Sequence, residues 1–311
     1  MRLCCNDSGI GGTYDPTENE IIMKKLHDFG FRVIGVWNLE MSTDDQIKRL
    51  KDLAAKYEMV IAVCPTPYQP AHPDPERRKK EHEGCKITLK KMRQLGGDVI
   101  HIAGGSYTGE GWWYHPKNFT QQGLDELITE MKKLAPYAED ARISICPETT
   151  QWCILNSTER MKEFVDRVDS PYVKVTFDVV NHLIPARLVE SGTFFKCALA
   201  FLGDRIGMLH IKDAVPVADL VVHINEVPYG TGILDHKTII QASDNLEPWK
   251  TFSLEHFNVP GEGGDCNISL IEDSYKYFKG ITDRIGHKWS DPNLTRDKWL
   301  SIKNRTQSKN R

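Results

Sequence analysis

Residues 143–178 have the sequence ISICPETTQWCILNSTERMKEFVDRVDSPYVKVTFD. Two β-rich runs, 141–146 and 172–177, flank a stretch whose apolar residues have helical spacing. A helix between two strands returns the chain to the same edge of a sheet, so this unit predicts two parallel strands. A carboxylate, Glu148 or Asp178, stands at the end of each run. The segment therefore predicts a parallel sheet with acidic side chains at one end.

The same alternation of strand and helix continues along most of the chain. Eight β-rich runs are expected to be strands: 2–6, 31–37, 59–64, 98–103, 141–146, 172–177, 206–211 and 249–254. Eight strand–helix units close a barrel. The rival is a doubly wound open sheet, which usually has a G-x-G-x-x-G motif after its first strand, and the sequence SGIGG at 8–12 lacks that spacing. We predict an α/β fold: a single (β/α)8 TIM barrel at 1–282 with a C-terminal extension at 283–311.

The extension contains Trp289 and Trp299 and is expected to pack on the barrel or on a neighbouring subunit. The residues between the seventh strand and the next helix are expected to form a long loop that carries the sequence PYGTG at 228–232.

Composition excludes several classes of protein. The 311 residues are 40% hydrophobic and 27% charged, with a formal net charge of −3, which argues against a nucleic-acid-binding surface. The sequence has no apolar run long enough to span a membrane, and Met1–Asp7 does not begin a signal peptide. Eight cysteines without C-x-x-C spacing suggest reduced thiols. We expect a cytoplasmic protein without nucleic-acid or membrane partners.

The last four predicted strands end in residues that bind metals. Glu148, Asp178, His210 and Glu255 stand at or just beyond the ends of strands five to eight, and such positions converge on one face of a barrel. Taken alone, each acidic residue is more often a helix cap or a salt-bridge partner. Converging carboxylates without a cation would repel one another and raise their own pKa values. The set therefore predicts one divalent ion, Mn²⁺ in the first place and Mg²⁺ or Co²⁺ as alternatives, rather than structural zinc.

The motifs at these strand ends resemble the xylose isomerase-like barrels, a group of sugar phosphate isomerases and epimerases that includes the D-tagatose and D-psicose 3-epimerases. The resemblance covers about residues 1–280. Its motifs are Pro147-Glu148, Phe177-Asp178 with His182 shortly after, His210-Ile211-Lys212-Asp213, Leu254-Glu255, and a P-x-G-x-G-x-x-D stretch at 228–235.

This resemblance implies the chemistry. It implies that Glu148, Asp178, His210 and Glu255 are the metal ligands and that the two glutamates are also the catalytic acid and base. The implied reaction moves a proton next to the carbonyl of a small sugar or keto-sugar through an enediolate.

Two polar residues are candidates for binding the substrate. The resemblance implies that His182 contacts it, but the spacing from Asp178 departs by one residue from the epimerase pattern, so Asn181 is an alternative. Lys212, two residues beyond His210, is expected near the metal, where it could hold a sugar oxygen or a phosphate. The competing interpretation for Lys212 is a salt bridge to a nearby carboxylate.

Aromatic residues near the strand ends are candidates for the pocket wall. Trp112 and Trp113 follow the fourth predicted strand, and a wall against a sugar ring or a substrate tail is expected there. Trp37 and His101 lie at the ends of the second and fourth strands and are expected to line the same pocket. For each of these residues, packing within the barrel is the competing interpretation.

Three other functions remain open from the sequence. The first is a metal-dependent lyase or dehydratase that acts on a keto-sugar or keto-inositol. This class includes the catalytic subunit of a C-glycoside deglycosidase, which would need a small partner subunit. The second is DNA repair as in endonuclease IV, which would require additional histidines and a basic groove. The third is a binding module without catalytic activity. We also expect a homo-oligomer, because barrels of this group commonly pair.

Overall fold

A computed structural model describes residues 1–257 and 267–309. Its strands are β1 Arg2–Cys5, β2 Val33–Gly35, β3 Val60–Pro65, β4 Val99–Ile102, β5 Ser144–Pro147, β6 Val175–Asp178, β7 Ile206–Ile211, β8 Asp213–Val217, β9 His223–Val227 and β10 Thr251–Leu254. Its α-helices are α1 Pro16–Phe29, α2 Asp44–Lys56, α3 Pro75–Leu95, α4 Gln121–Ala141, α5 Thr158–Val168, α6 Pro185–Val189, α7 Ser191–Leu202, α8 His236–Ser243, α9 Ile268–Ile285 and α10 Arg296–Lys309. Within these ranges no helix is both long and apolar enough to cross a membrane.

Eight parallel strands form the barrel. They pair in the order β5-β4-β3-β2-β1-β10-β7-β6. Two parallel bridges, Ile145 with Val173 and Glu148 with Thr176, link β5 to β6 and bring the first and last strands of this order together. The predicted (β/α)8 TIM barrel is confirmed.

The barrel strands divide their side chains between two cores, because successive residues of a strand point to opposite faces. Cys4 belongs to a small cluster inside the barrel, and its neighbour Cys5 belongs to the large cluster between strands and helices. The small cluster comprises Cys4, Val33, Ala62, Val63, Val99, Cys146, Met208 and Trp249. It fills the barrel interior beneath the acidic strand ends, so the barrel is closed by packed side chains below that level. No disulfide joins the described cysteines.

The residues after α9 pack against the N-terminal end of the barrel. The amide of Ser290 donates to the carbonyl of Met1 at 2.8 Å, and the amide of Arg296 donates to Asp98 Oδ1 at 2.8 Å. The indole of Trp299 donates to Glu247 Oε1 at 3.1 Å. These contacts lie at the end of the barrel opposite the acidic strand ends. The proposed boundary between 282 and 283 stays a prediction and falls inside α9.

The segment after β7, which was expected to be a long loop, begins with a β-hairpin. Strands β8 and β9 pair antiparallel, with Asp213 opposite Val227 and Val217 opposite His223. The hairpin follows β7 directly and therefore rises from the strand that carries His210. Its β-branched residues Val215, Val217, Val222 and Ile224 are the sequence signal that favours strands at this position.

Candidate metal centre

Four strand ends place the predicted ligands at one level. Asp178 is the last residue of β6 and is paired in register with His210 of β7, which in turn pairs with Ser253 of β10. Glu148 directly follows β5 and bridges to Thr176 of β6, while Glu255 directly follows β10. Since neighbouring parallel strands keep these residues level, the side chains point toward a common centre.

The four side chains form one buried cluster. One ligand atom from each of Glu148, Asp178, His210 and Glu255 can be chosen so that all four atoms lie within 4.8 Å of one another. His210 Nδ1 lies 3.3 Å from Glu148 Oε1 and 2.8 Å from Glu255 Oε2, so the imidazole stands between the two glutamates. None of the four residues is more than 6% exposed. The structure therefore brings together all four residues that the sequence singled out.

Lys212 supplies positive charge to this cluster. Its Nζ lies 2.8 Å from Asp178 Oδ2, 3.1 Å from Glu255 Oε1 and 3.3 Å from Glu226 Oε1. Burial opposes the charged form, but Asp178 and then Glu255 hold the pKa of the Lys212 ammonium well above its usual value. The cluster contains three carboxylates, and Lys212 contacts two of them, Asp178 and Glu255. With all three carboxylates ionised and His210 neutral, the ammonium leaves a net charge of −2.

The remaining negative charge shows in the neighbouring pKa values. Burial disfavours the imidazolium of His210, yet Glu255 and Glu148 raise its pKa well above the ordinary value. Burial also raises the pKa of Asp178 to about 7, with Glu255 and Glu148 adding to the rise and Lys212 opposing it. Because the cluster favours the protonated forms of an imidazole and a carboxylate, it carries an excess of negative charge. A divalent cation would neutralise that excess.

Unsatisfied atoms also fit a cation. Among the described residues, Asp178 Oδ2 and Glu255 Oε1 face Lys212 without hydrogen-bond geometry, so both oxygens remain able to bind an ion. Ligand atoms at about 2.1 Å from one ion lie at most about 4.2 Å apart, so the observed cluster needs only a slight contraction. Three carboxylates and one imidazole suit Mn²⁺, Mg²⁺ or Co²⁺. The residues present fit such an ion.

Two smaller groups share residues with this cluster and could also hold an ion. His101, Glu148 and His210 form one, and Asp7, Glu255 and His256 form the other. In the first group, His101 Nε2 lies 2.9 Å from Glu148 Oε2, and the His101 ring stacks on Trp112 with 6.2 Å between ring centroids.

The cluster forms the floor of an open cavity of about 1080 Å³. Glu148 and Glu255 line this cavity, whereas Asp178 and His210 are fully buried behind them. Of the predicted substrate-binding residues, the cavity wall includes Lys212, Trp113, Trp37 and His101. Trp112 lines it as well.

His182 is placed differently from the prediction. It is 1% exposed and is not among the described residues that line the cavity. Its Nε2 lies 2.8 Å from Thr149 Oγ1, and its ring stacks on Phe177 with the planes 4° apart. Burial lowers the pKa of His182 to about 3, so it is neutral at physiological pH. Its position is that of a packed core histidine and does not support a role in binding the substrate.

Asn181 reaches the site instead. Its Nδ2 donates to Glu148 Oε1 at 2.8 Å, its Oδ1 accepts from Lys212 Nζ at 3.3 Å, and the residue lines the cavity. Asn181 and His182 lie in the same 3₁₀ turn, where consecutive side chains diverge widely around the axis. One of the two neighbours therefore faces the cavity while the other faces the core.

Sequence reasoning missed Glu226 and His256. Glu226 lies on β9 and contacts Lys212, while its Oε2 lies 2.6 Å from His256 Nδ1. The backbone amide of His256 donates to Asp7 Oδ2 at 2.9 Å. Recognition of the hairpin in the sequence would have indicated that β9 returns over the strand ends.

Comparison with known proteins identifies the family of this barrel. The family model described as "Xylose isomerase-like TIM barrel" matches residues 23–277, and the chain belongs to that family. A D-psicose 3-epimerase of Enterocloster bolteae is 24% identical over 238 residues, which cover 68% of this chain and 75% of the relative.

Solved structures share the fold. D-psicose 3-epimerase from Clostridium cellulolyticum H10, solved with D-tagatose, superposes with a TM-score of 0.70 at 17% identity and covers 91% of this chain and 99% of its own. A xylose isomerase-like TIM barrel protein from Mycobacterium smegmatis, solved with magnesium, has a TM-score of 0.69 at 15% identity and covers 90% of this chain and 96% of its own.

Proposed function

We propose that the protein is a divalent-metal-dependent sugar epimerase or isomerase that moves a proton on a carbon next to a carbonyl. The observation that carries the proposal is the placement of Glu148 and Glu255. They follow β5 and β10, which β6 and β7 separate in the barrel, and both face one cavity on either side of His210. The D-psicose 3-epimerase relative supports a ketose as substrate.

Glu148, Asp178, His210 and Glu255 would hold the metal, Mn²⁺ in the first place. A divalent ion bound there would polarise the substrate carbonyl and the adjacent hydroxyl and so acidify the intervening C–H. Asp178 and His210 are fully buried and are not among the described residues that line the cavity. Their only role would therefore be to bind the metal. Glu148 and Glu255 line the cavity and thus have the additional role of acid and base.

The two glutamates act in sequence. One glutamate, ionised, removes the proton from the carbon next to the carbonyl. The other, protonated, donates its proton to the opposite face, which inverts the carbon and leaves the two glutamates with exchanged protonation states. His101 and Asn181 hold the two oxygens of Glu148, at 2.9 and 2.8 Å, and so fix the direction of its free lone pairs. Lys212, with its ammonium already charged, would stabilise the enediolate oxygen that develops negative charge.

The cavity wall would position the sugar. Trp37 and Trp113 offer apolar faces, and His101 and Lys212 offer hydrogen bonds. For the setting of the protein, we propose the cytoplasm, in which the described cysteines would remain reduced.

The test follows proton exchange at the reacting carbon. The Mn²⁺-loaded protein is incubated with D-psicose, D-fructose and D-tagatose in D₂O, and NMR monitors both deuterium incorporation and the epimer formed. Glu148→Gln and Glu255→Gln should each abolish turnover. Glu110→Gln, an exposed glutamate in the loop after β4, is the matched control and should retain wild-type rates.

Substantial turnover in both active-site variants would contradict the assignment of acid and base. Release of water or of a β-substituent from a keto-inositol or keto-glycoside, without epimer formation from any ketose, would replace the epimerase by the lyase alternative.

A further inference from the structure

The cavity above the acidic cluster continues outward between apolar walls. One wall has Trp113 and Trp152, which are 63% and 55% exposed and come from the loops after β4 and β5. The other has Val221 and Val222 at the tip of the β8–β9 hairpin, which are 68% and 64% exposed. We call these four residues the outer rim. Large apolar side chains exposed around a concave site indicate a ligand or partner surface.

The tryptophan side of the outer rim is held in place by a buried amide. Asn118 has no exposed surface, and its Nδ2 donates to the carbonyl of Trp113 at 3.1 Å and to that of Trp152 at 2.7 Å. Tyr114 packs edge-on against Trp152, with 6.0 Å between ring centroids. One side chain thus ties the two tryptophan-bearing loops together. A preorganised aromatic surface loses little conformational entropy when a ligand binds to it.

The size of the cavity exceeds the needs of a free monosaccharide. Its volume of about 1080 Å³ lies slightly above the range of about 300–1000 Å³ that is typical of pockets for drug-sized ligands. A free hexose has hydroxyl groups on nearly every carbon and no extended apolar group for the outer rim. The polar floor and the apolar rim belong to one continuous cavity, so a ligand that fills both has a polyhydroxyl end and an apolar end.

We propose that the substrate is a ketose with an apolar substituent, aromatic or branched, on the end remote from its carbonyl, and that this substituent lies against the outer rim. This inference rests on the proposed function, because Glu148 and Glu255 fix the carbonyl end at the floor. The substituent stays attached throughout the reaction. A second copy of the chain is the alternative occupant, but a flat protein surface would leave the depth of the cavity unfilled.

The experiment compares two ketoses that differ only in the substituent. Mn²⁺-loaded protein is assayed with 6-O-methyl-D-fructose and 6-O-benzyl-D-fructose, which block the same hydroxyl. The expected ratio of kcat/KM, benzyl over methyl, is about tenfold or more, equivalent to about 1.4 kcal/mol. Isothermal titration calorimetry measures the binding of both compounds.

Variants of the outer rim test where the preference arises. Trp152→Ser and Val222→Ser should each bring the ratio close to one. Leu220→Ser is the matched control, because Leu220 lies on the same hairpin tip, is fully exposed and is not among the described residues that line the cavity. The control should keep the wild-type ratio.

The outcomes separate this inference from the proposed function. Turnover of both ketoses with equal kcat/KM would overturn the inference and leave the function standing. Absence of turnover of both compounds and of D-psicose, with tighter binding of the benzyl compound, would overturn the proposed reaction and support the outer rim as a binding surface. The same absence with equal binding would overturn both. Turnover of D-psicose alone would overturn the inference and leave the function standing. Conversion of a dimer to a monomer by Val222→Ser, with an unchanged ratio, would assign the rim to a second copy and overturn the inference.

Discussion

The two ends of the barrel both bury carboxylates, but they satisfy them differently. At the N-terminal end, Asp98 Oδ2 pairs with Arg2 at 2.6 Å, and Asp98 Oδ1 accepts the amide of Arg296 at 2.8 Å. At the C-terminal end, Asp178 Oδ2 and Glu255 Oε1 have no hydrogen bond within the described residues, and a single lysine faces both atoms. A buried carboxylate whose oxygens all have hydrogen-bond or ion-pair partners within the protein stabilises the fold. A buried carboxylate with an oxygen that lacks a hydrogen bond indicates a ligand site.

The largest expected difference between the ends comes from neutralising one carboxylate at the site. Asp178→Asn should lower kcat by about 1000-fold or more, equivalent to about 4 kcal/mol of the activation barrier, because a ligand of the ion is lost. The same change should not lower the unfolding free energy of the metal-free protein, since it removes one of three mutually repelling carboxylates. Steady-state kinetics and urea denaturation in chelator measure the two effects. Marked destabilisation of the metal-free variant would mean that Asp178 is a structural residue like Asp98.

The matching change at the other end should have the opposite effect. Asp98→Asn should lower the unfolding free energy by about 3–5 kcal/mol, because it leaves the buried guanidinium of Arg2 without its carboxylate. The kcat of the folded fraction should be unchanged. Asp297→Asn is the control: Asp297 is about a third exposed and pairs with Arg93 and Arg142, and its loss should cost less than about 1 kcal/mol. If Asp98→Asn and Asp297→Asn had the same unfolding free energy, the buried pair of Arg2 and Asp98 would not stabilise the fold more than an exposed pair does.

Metal addition should sharpen the same contrast. Mn²⁺ at about 100 times its dissociation constant should raise the unfolding free energy of the wild-type protein by about 2.7 kcal/mol. Asp98→Asn should gain the same increment, and Asp178→Asn should gain none. Denaturation with and without Mn²⁺ measures the increments. An equal gain in all three proteins would place the ion away from Asp178.

The smallest expected effect concerns the C-terminal segment. Trp299→Phe removes the indole donor to Glu247 and should lower the unfolding free energy by about 1 kcal/mol, the usual net worth of one hydrogen bond. Activity and Mn²⁺ binding should stay at wild-type levels, because the contact lies at the opposite end of the barrel. A change in kcat would show that the two ends are coupled.

The sequence predicted the residues of the acidic cluster because their positions depend on strands alone. Glu148 and Asp178 follow apolar runs directly, and parallel strands of a barrel deliver such residues to one face whatever the loops do. The barrel itself followed from the count of strand–helix units.

Residues beyond the strand ends were less predictable, because tertiary packing sets their direction. His182 and Asn181 are neighbours in one short turn, and the packing of His182 on Phe177 decides which of them reaches the cavity. Glu226 reaches Lys212 only because β9 pairs with β8 and returns over the site. Asn118 also donates to the carbonyl of Trp152, 34 residues further along the chain, so no local pattern indicates this contact.

The anomalous scattering of Mn²⁺ in crystals grown with the ion would locate the metal. We predict one strong peak, about 2.1 Å from carboxylate oxygens of Glu148, Asp178 and Glu255 and from a ring nitrogen of His210. A peak between Asp7, Glu255 and His256 alone, or no peak near the four residues, would contradict it.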